Sequence, residues 1–229
     1  MIQLQNISLS YGSRTILREA SLHLGAGELC ALVGRNGAGK STLLRALTSH
    51  DQTYINGKPL SHYTPEQLAQ SVAIVTTERI RIENLLVEEL VAMGRAPYTN
   101  WMGHLQEIDR EIVGKAIEAV GMSDFVGRDT SSLSDGELQR VMIARAIAQQ
   151  TPIILLDEPT AFLDIPTRFE VCRILADLAH NEGKTILFST HDVDAALAVC
   201  DSFAIIDKCE LRHLPTAEAE SEIERLFKQ

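Results

Sequence analysis

Apolar and polar positions alternate along residues 2–10, with Ile2, Leu4, Ile7 and Leu9 on apolar faces, and period two predicts a strand ending at Tyr11-Gly12. Leu17 and Ser21 to Leu24 predict a second strand, closed by Gly25-Ala26-Gly27. The apolar run Leu29 to Val33 reads as a buried strand, and Thr42 to Leu47 as the start of a helix. Asn56-Gly57 is a hairpin signal, and Thr64-Pro65 places an N-cap and an N1 proline before a short helix. A strand at Val72 to Val75 follows.

The period then changes. Val87 to Met93 and Ile108 to Val120 carry helical spacing, with Gly121 as a C-terminal cap, and strand-like runs are absent until Ile153. From there strands alternate with helices: Ile153 to Leu156, a helix from about Pro166 to His180, Thr185 to Ser189, a helix from about Asp192 to Val199, and Phe203 to Ile206. An acidic helix, roughly Glu218 to Phe227, comes last. Continuous apolar strands separated by helices predict a mostly parallel sheet covered on both faces. The expected division is a core of about 1–77 and 151–229 with a helical lobe of about 78–150 inserted, and an antiparallel β part at the N-terminal end.

Candidate chemistry sits at the joints of this pattern. Gly34-Arg35-Asn36-Gly37-Ala38-Gly39-Lys40-Ser41-Thr42 lies between a strand and a helix. Glycines there let backbone N–H groups wrap a polyphosphate, and the helix start adds free donors and a positive dipole end. Lys40 is placed to reach β- and γ-phosphates and Ser41 to ligate Mg²⁺. The sequence therefore predicts nucleoside triphosphate binding. Asp157 and Glu158 end the strand Ile153 to Leu156. Asp157 can hold Mg²⁺ through water, and Glu158 can polarise a water aimed at the γ-phosphorus. Ser134, with Glu137 three residues on, is a capping box at a third helix start whose bare N–H groups also suit a phosphate.

Composition narrows the partners. A net charge of −10 over 229 residues disfavours nonspecific nucleic-acid binding and adhesion to anionic lipid. No apolar run approaches the roughly 18 residues that span a bilayer, and the start lacks signal-peptide character. Cys30, Cys172, Cys200 and Cys209 show no Cys-x-x-Cys spacing, so they read as reduced thiols in a cytoplasmic protein.

The ordered set of motifs resembles the ATP-binding subunit of an ABC transporter, over nearly the whole chain from Tyr11 to about Ile206. The resemblance implies a P-loop ATPase core with a helical lobe. It also implies Tyr11 stacking on adenine, a signature turn at Leu133-Ser134-Asp135-Gly136-Glu137, a D-loop at Ala161 to Asp164 and a switch histidine at His191. Asp135 and Glu137 depart from the family's Leu-Ser-Gly-Gly-Gln. Two subunits, expected to be identical, would sandwich ATP and Mg²⁺ between the phosphate loop of one and Ser134, Gly136 and Glu137 of the other. Asp164 would lie beside the same site. A transmembrane permease would hold the pair at the cytoplasmic side of the cell membrane, with no direct insertion. Where the family usually carries a metal-sensing Gln, this chain has Thr76-Thr77-Glu78, so Thr77 or Glu78 must stand in. Val87 to Leu105, with Pro97, Tyr98 and Trp101, is similar to the helical-lobe segment of iron-chelate, haem and vitamin B12 importers. Those aromatics suit permease docking or the lobe's own packing. The implied function is an ATPase powering such an importer; the other reading is a soluble ABC ATPase, for example in iron–sulfur assembly.

Overall fold

The computed structural model describes residues 1–12, 14–76, 83–99, 103–161 and 163–228. Two sheets meet. The smaller is antiparallel, in the order β2 (Arg14–Leu24), β1 (Ile2–Tyr11), β4 (Thr53–Ile55) and β5 (Lys58–Pro59). The larger runs β10 (Glu210–Pro215), β9 (Ser202–Asp207), β3 (Leu29–Gly34), β8 (Thr185–Ser189), β7 (Ile153–Leu156) and β6 (Val72–Val75). All its pairings are parallel except β10 against β9. The hairpin between β4 and β5 turns through Asn56 and Gly57, both at positive φ, the backbone that a tight primed turn demands.

The central strands are buried on both faces, which is why their sequence reads as unbroken apolar runs. Along β3, Leu29, Ala31 and Val33 point to one core, and Cys30 and Leu32 to the other. The same alternation holds in β7, where Ile154 and Leu156 face the first core and Ile153 and Leu155 the second. The second core is closed by the small sheet and by helix α1 (Lys40–Ala46) through Leu43 and Leu44, with Leu47 at its C-cap. Complete burial of such a side chain contributes about 1.5–3 kcal/mol, so the strand carrying the phosphate loop is anchored from above and below.

After α2 (Pro65–Ala69), the first core continues into packed helices α3 (Val87–Ala92), α4 (Glu107–Ala119) and α5 (Asp135–Ala148). Arg95 and Asp109, both buried, pair at 2.8 Å, and the Arg95 guanidinium also donates to Ala148 O at 2.8 Å. Gly94 allows this: a Cβ there would lie 2.3 Å from the Arg145 carbonyl oxygen. Helices α6 (Ile165–His180), α7 (Val193–Leu197) and α8 (Thr216–Lys228) complete the chain.

Two elements differ from the sequence expectation. β2 begins at Arg14, because its register shifts against β1 break strict alternation. β10 goes unpredicted; its half-buried face and turn at Lys208-Cys209 give a weak apolar signal. No described helix is long and apolar enough to cross a membrane.

Candidate nucleotide site

Three adjacent parallel strands deliver the site. β3, β8 and β7 end in register, and their carboxyl ends carry the phosphate loop, Ser189 to His191, and Asp157-Glu158 respectively. Ligands of open parallel sheets bind outside these ends. The phosphate loop bends through Gly37 at φ 74° and Gly39 at φ 109°. Gly39 is the N-cap of α1, and a Cβ on it would meet Ile16 Cγ2 at 2.2 Å. Arg14 reaches from β2 to donate to the Gly37 carbonyl at 3.4 Å. Loop, helix start and small sheet are thus fitted to one another without side chains at the glycines.

Lys40 is buried at 6% exposure. Its ammonium donates to Gly34 O at 3.1 Å, stands 3.0 Å from His191 Nε2 and 4.0 Å from Glu158 Oε1. Burial pushes its pKa down, and the charges of Glu158 and Asp157 oppose that shift. His191 Nε2 is also 2.9 Å from Glu158 Oε1. One proton decides between these contacts: Nε2 accepts from Lys40 when bare and donates to Glu158 when protonated. His191 thus stands within hydrogen-bonding distance of both Lys40 and Glu158, which are themselves 4.0 Å apart.

Ser189 organises the two carboxylates, a role the sequence reading missed. Its hydroxyl donates to Asp157 Oδ1 at 2.6 Å and accepts the Glu158 N–H at 2.9 Å. Glu158 adopts φ 49°, an uncommon conformation outside glycine that costs about 1–3 kcal/mol and is held by its surroundings. The only advance signal was the string of hydroxyls before His191. Thr190 Oγ1 likewise accepts the Asp192 N–H, and Arg168 ties Asp192 to the carbonyl of Leu163.

The oxygen set of Ser41 and Asp157 fits a hard cation such as Mg²⁺, which takes one or two protein oxygens alongside phosphates and water. The described residues contain no cluster of three or more His, Cys, Asp or Glu that could hold a metal ion. Glu78, with Thr77, lies outside the described residues. Tyr11 ends β1 and is 85% exposed.

The remaining predicted residues gather elsewhere. Ser134 caps α5, with Glu137 completing the box, and Asp164 caps α6 by accepting the Thr167 N–H at 3.0 Å. These two helix starts touch: a Cβ on Gly136 would lie 3.3 Å from Leu163 Cδ2. Arg35, Asn36 and Ala38 line an open cleft of about 270 Å³ with Arg14, Asp207 and Lys208, while Thr42 lies on the exposed side of α1.

Residues 17–161 match the family model described as ABC transporter. The petrobactin import ATP-binding protein FpuD of Bacillus anthracis is 38% identical over 213 residues, covering 90% of this chain and 78% of the relative. The iron(3+)-hydroxamate import ATP-binding protein FhuC of Bacillus subtilis is 36% identical over 197 residues, covering 84% and 73%. Among solved structures, the dimeric post-hydrolysis cassette MJ0796 bound to ADP and Pi superposes with a TM-score of 0.80 at 25% identity, covering 94% of this chain and 99% of that one.

Proposed function

The chain belongs to the ABC transporter family of ATP-binding, ATP-hydrolysing subunits, and from that premise we propose that it powers an importer of an iron chelate, haem or cobalamin. The observation that carries the enzymatic part is the meeting of Lys40, Glu158 and His191 at the ends of β3, β7 and β8. The cargo class is supported by the relatives, whose names specify petrobactin and iron(3+)-hydroxamate import.

In the proposed mechanism the phosphate loop wraps the triphosphate with backbone N–H groups, and Lys40 neutralises its β- and γ-oxygens. Ser41 and Asp157 would hold Mg²⁺, which when bound would supply further charge neutralisation. The Ser189 hydroxyl fixes Asp157 and orients the Glu158 backbone. Glu158 accepts the proton of the attacking water, and His191 donates to the γ-phosphate through the Nε2 that otherwise meets Glu158. Lys40, itself buried, exchanges the carboxylates for phosphate oxygens, and its burial strengthens that attraction.

A second copy of the chain contributes Ser134 and Gly136 to each site, with Asp164 beside it, so ATP holds the pair closed until the γ-phosphate bond is cut. A permease places the pair peripherally at the membrane. Tyr98 fits the docking surface: it is 38% exposed, its hydroxyl donates to Gln149 O at 2.9 Å, and Arg95 stacks on its ring at 4.1 Å. Coexpression with an iron-chelate-type permease tests this. Copurification in detergent, weakened by Tyr98→Ala while nucleotide affinity is unchanged, supports the reading. A soluble scaffold protein as the sole stable partner contradicts it.

A further inference from the structure

The signature turn holds a carboxylate where the trans site needs a phosphate. Ser134 N–H and Ser134 Oγ both donate to Glu137 Oε2, at 2.7 and 2.8 Å, and Glu137 N–H returns a bond to Ser134 Oγ at 3.3 Å. A serine hydroxyl has one proton, and here it is committed to Glu137. A phosphate oxygen only accepts, so Ser134 cannot donate to one while this contact stands. The glutamine that the family signature places at this position would be neutral; Glu137 adds a charge facing any incoming anion, beside Asp135 on the same helical turn.

One turn further along α5 lies a receiver for that carboxylate. Arg140 is three residues on, the spacing of facing neighbours on a helix. Its Nε is buried and has no hydrogen-bond partner among the described residues. Its Nη1 makes a long contact, 3.8 Å, to Glu170, and its charge also acts on Asp164. A buried donor left unpaired costs about 1–3 kcal/mol and calls for a reason. Arg128 and Arg140 also add positive potential at Glu137.

We propose that Glu137 is a placeholder for the partner's γ-phosphate: it occupies Ser134 in the open subunit and moves to Arg140 when the ATP sandwich closes. Glu137 is thus a positioning residue that sets how much ATP closure requires. The inference rests on the trans role of Ser134 given above. The exchange is a local two-state element biased by ligand. It makes the closed pair harder to reach than with a neutral glutamine, and keeps Ser134 capped in the open subunit.

The test uses the full chain carrying Glu158→Gln, which slows hydrolysis, with dimer formation followed by sedimentation against Mg-ATP concentration. Adding Glu137→Gln is expected to lower the ATP needed for half-closure about tenfold, while slightly lowering the melting temperature without nucleotide through loss of a charged cap. Arg140→Gln on the Glu158→Gln background is expected to raise the ATP requirement several-fold, with circular dichroism confirming its fold. An unchanged or higher ATP requirement for Glu137→Gln overturns the placeholder and leaves a plain helix cap. If the Glu158→Gln parent never dimerises at saturating Mg-ATP, the trans sandwich itself fails, a separately recognisable result.

Discussion

Replacing Glu28 with glutamine removes one charge from a polar knot at the opposite end of the sheet from the nucleotide site. Glu28 accepts from Gly25 N–H at 2.6 Å, from the Ser202 hydroxyl, and from His213 Nε2 at 3.1 Å. These bonds join the start of β3 to β9 and β10. Burial raises the Glu28 pKa, but His213, Ser202 and the Gly25 amide outweigh it and bring it down to about 2. Against about 4.3 in an unfolded chain, that is worth about 3 kcal/mol at neutral pH. The folded pKa is the lower one, so this stability is present above the unfolded value and is lost as pH falls from about 4.3 toward 2. Glu28→Gln is therefore expected to cost about 2–3 kcal/mol at pH 7, a melting-temperature drop of roughly 4–12 °C for a chain of this size. Between pH 5 and pH 3.5, below the usual histidine range, the gap between wild type and variant should narrow by about 1 kcal/mol. Differential scanning calorimetry of both proteins across that window measures it. A gap that stays constant with pH, or none at all, refutes the assignment of the charge as the stabilising feature.

Gly39→Ala is expected to weaken nucleotide binding at least tenfold, because its Cβ would overlap Ile16 at 2.2 Å with φ at 109°; titration with a fluorescent ATP analogue reads this, and unchanged affinity contradicts the fit of loop to β2. Asp109→Asn leaves the buried Arg95 charge without its partner and should cost about 3 kcal/mol in urea unfolding. The double variant Arg95→Met/Asp109→Leu should recover much of that loss, whereas equal destabilisation would mean that the backbone bond from Arg95 to Ala148 carries the effect.

The phosphate loop is legible in the sequence because its function demands residues with no substitutes: glycines at positive φ, one lysine, one hydroxyl. The parallel strands are legible because burial on both faces leaves β3 and β7 wholly apolar and confines the polar residues of β8, Thr185 and Ser189, to its two ends. What escapes is whatever depends on tertiary neighbours. β10 is a half-exposed edge strand whose pairing, not its composition, defines it. Ser189 sits at the end of an apolar strand and gains its role only when β7 brings Asp157 within 2.6 Å. The contact between the helix starts at Ser134 and Asp164 is likewise invisible along the chain, since Gly136 and Leu163 meet only after α5 and α6 pack. The departures at Asp135 and Glu137 can be seen in sequence, but the unpartnered Nε of Arg140 that gives Glu137 an alternative cannot.

The shared site is tested most directly by complementation between two inactive variants of this chain. Lys40→Met removes the phosphate-loop cation, and Ser134→Arg blocks the contribution to the partner; each purified variant should hydrolyse no ATP. Mixed in equal amounts, half of the pairs hold one site with both Lys40 and Ser134 intact, so about a quarter of the wild-type rate should return. A mixture as silent as its components, or a Ser134→Arg protein that hydrolyses ATP normally alone, contradicts a site built from two chains.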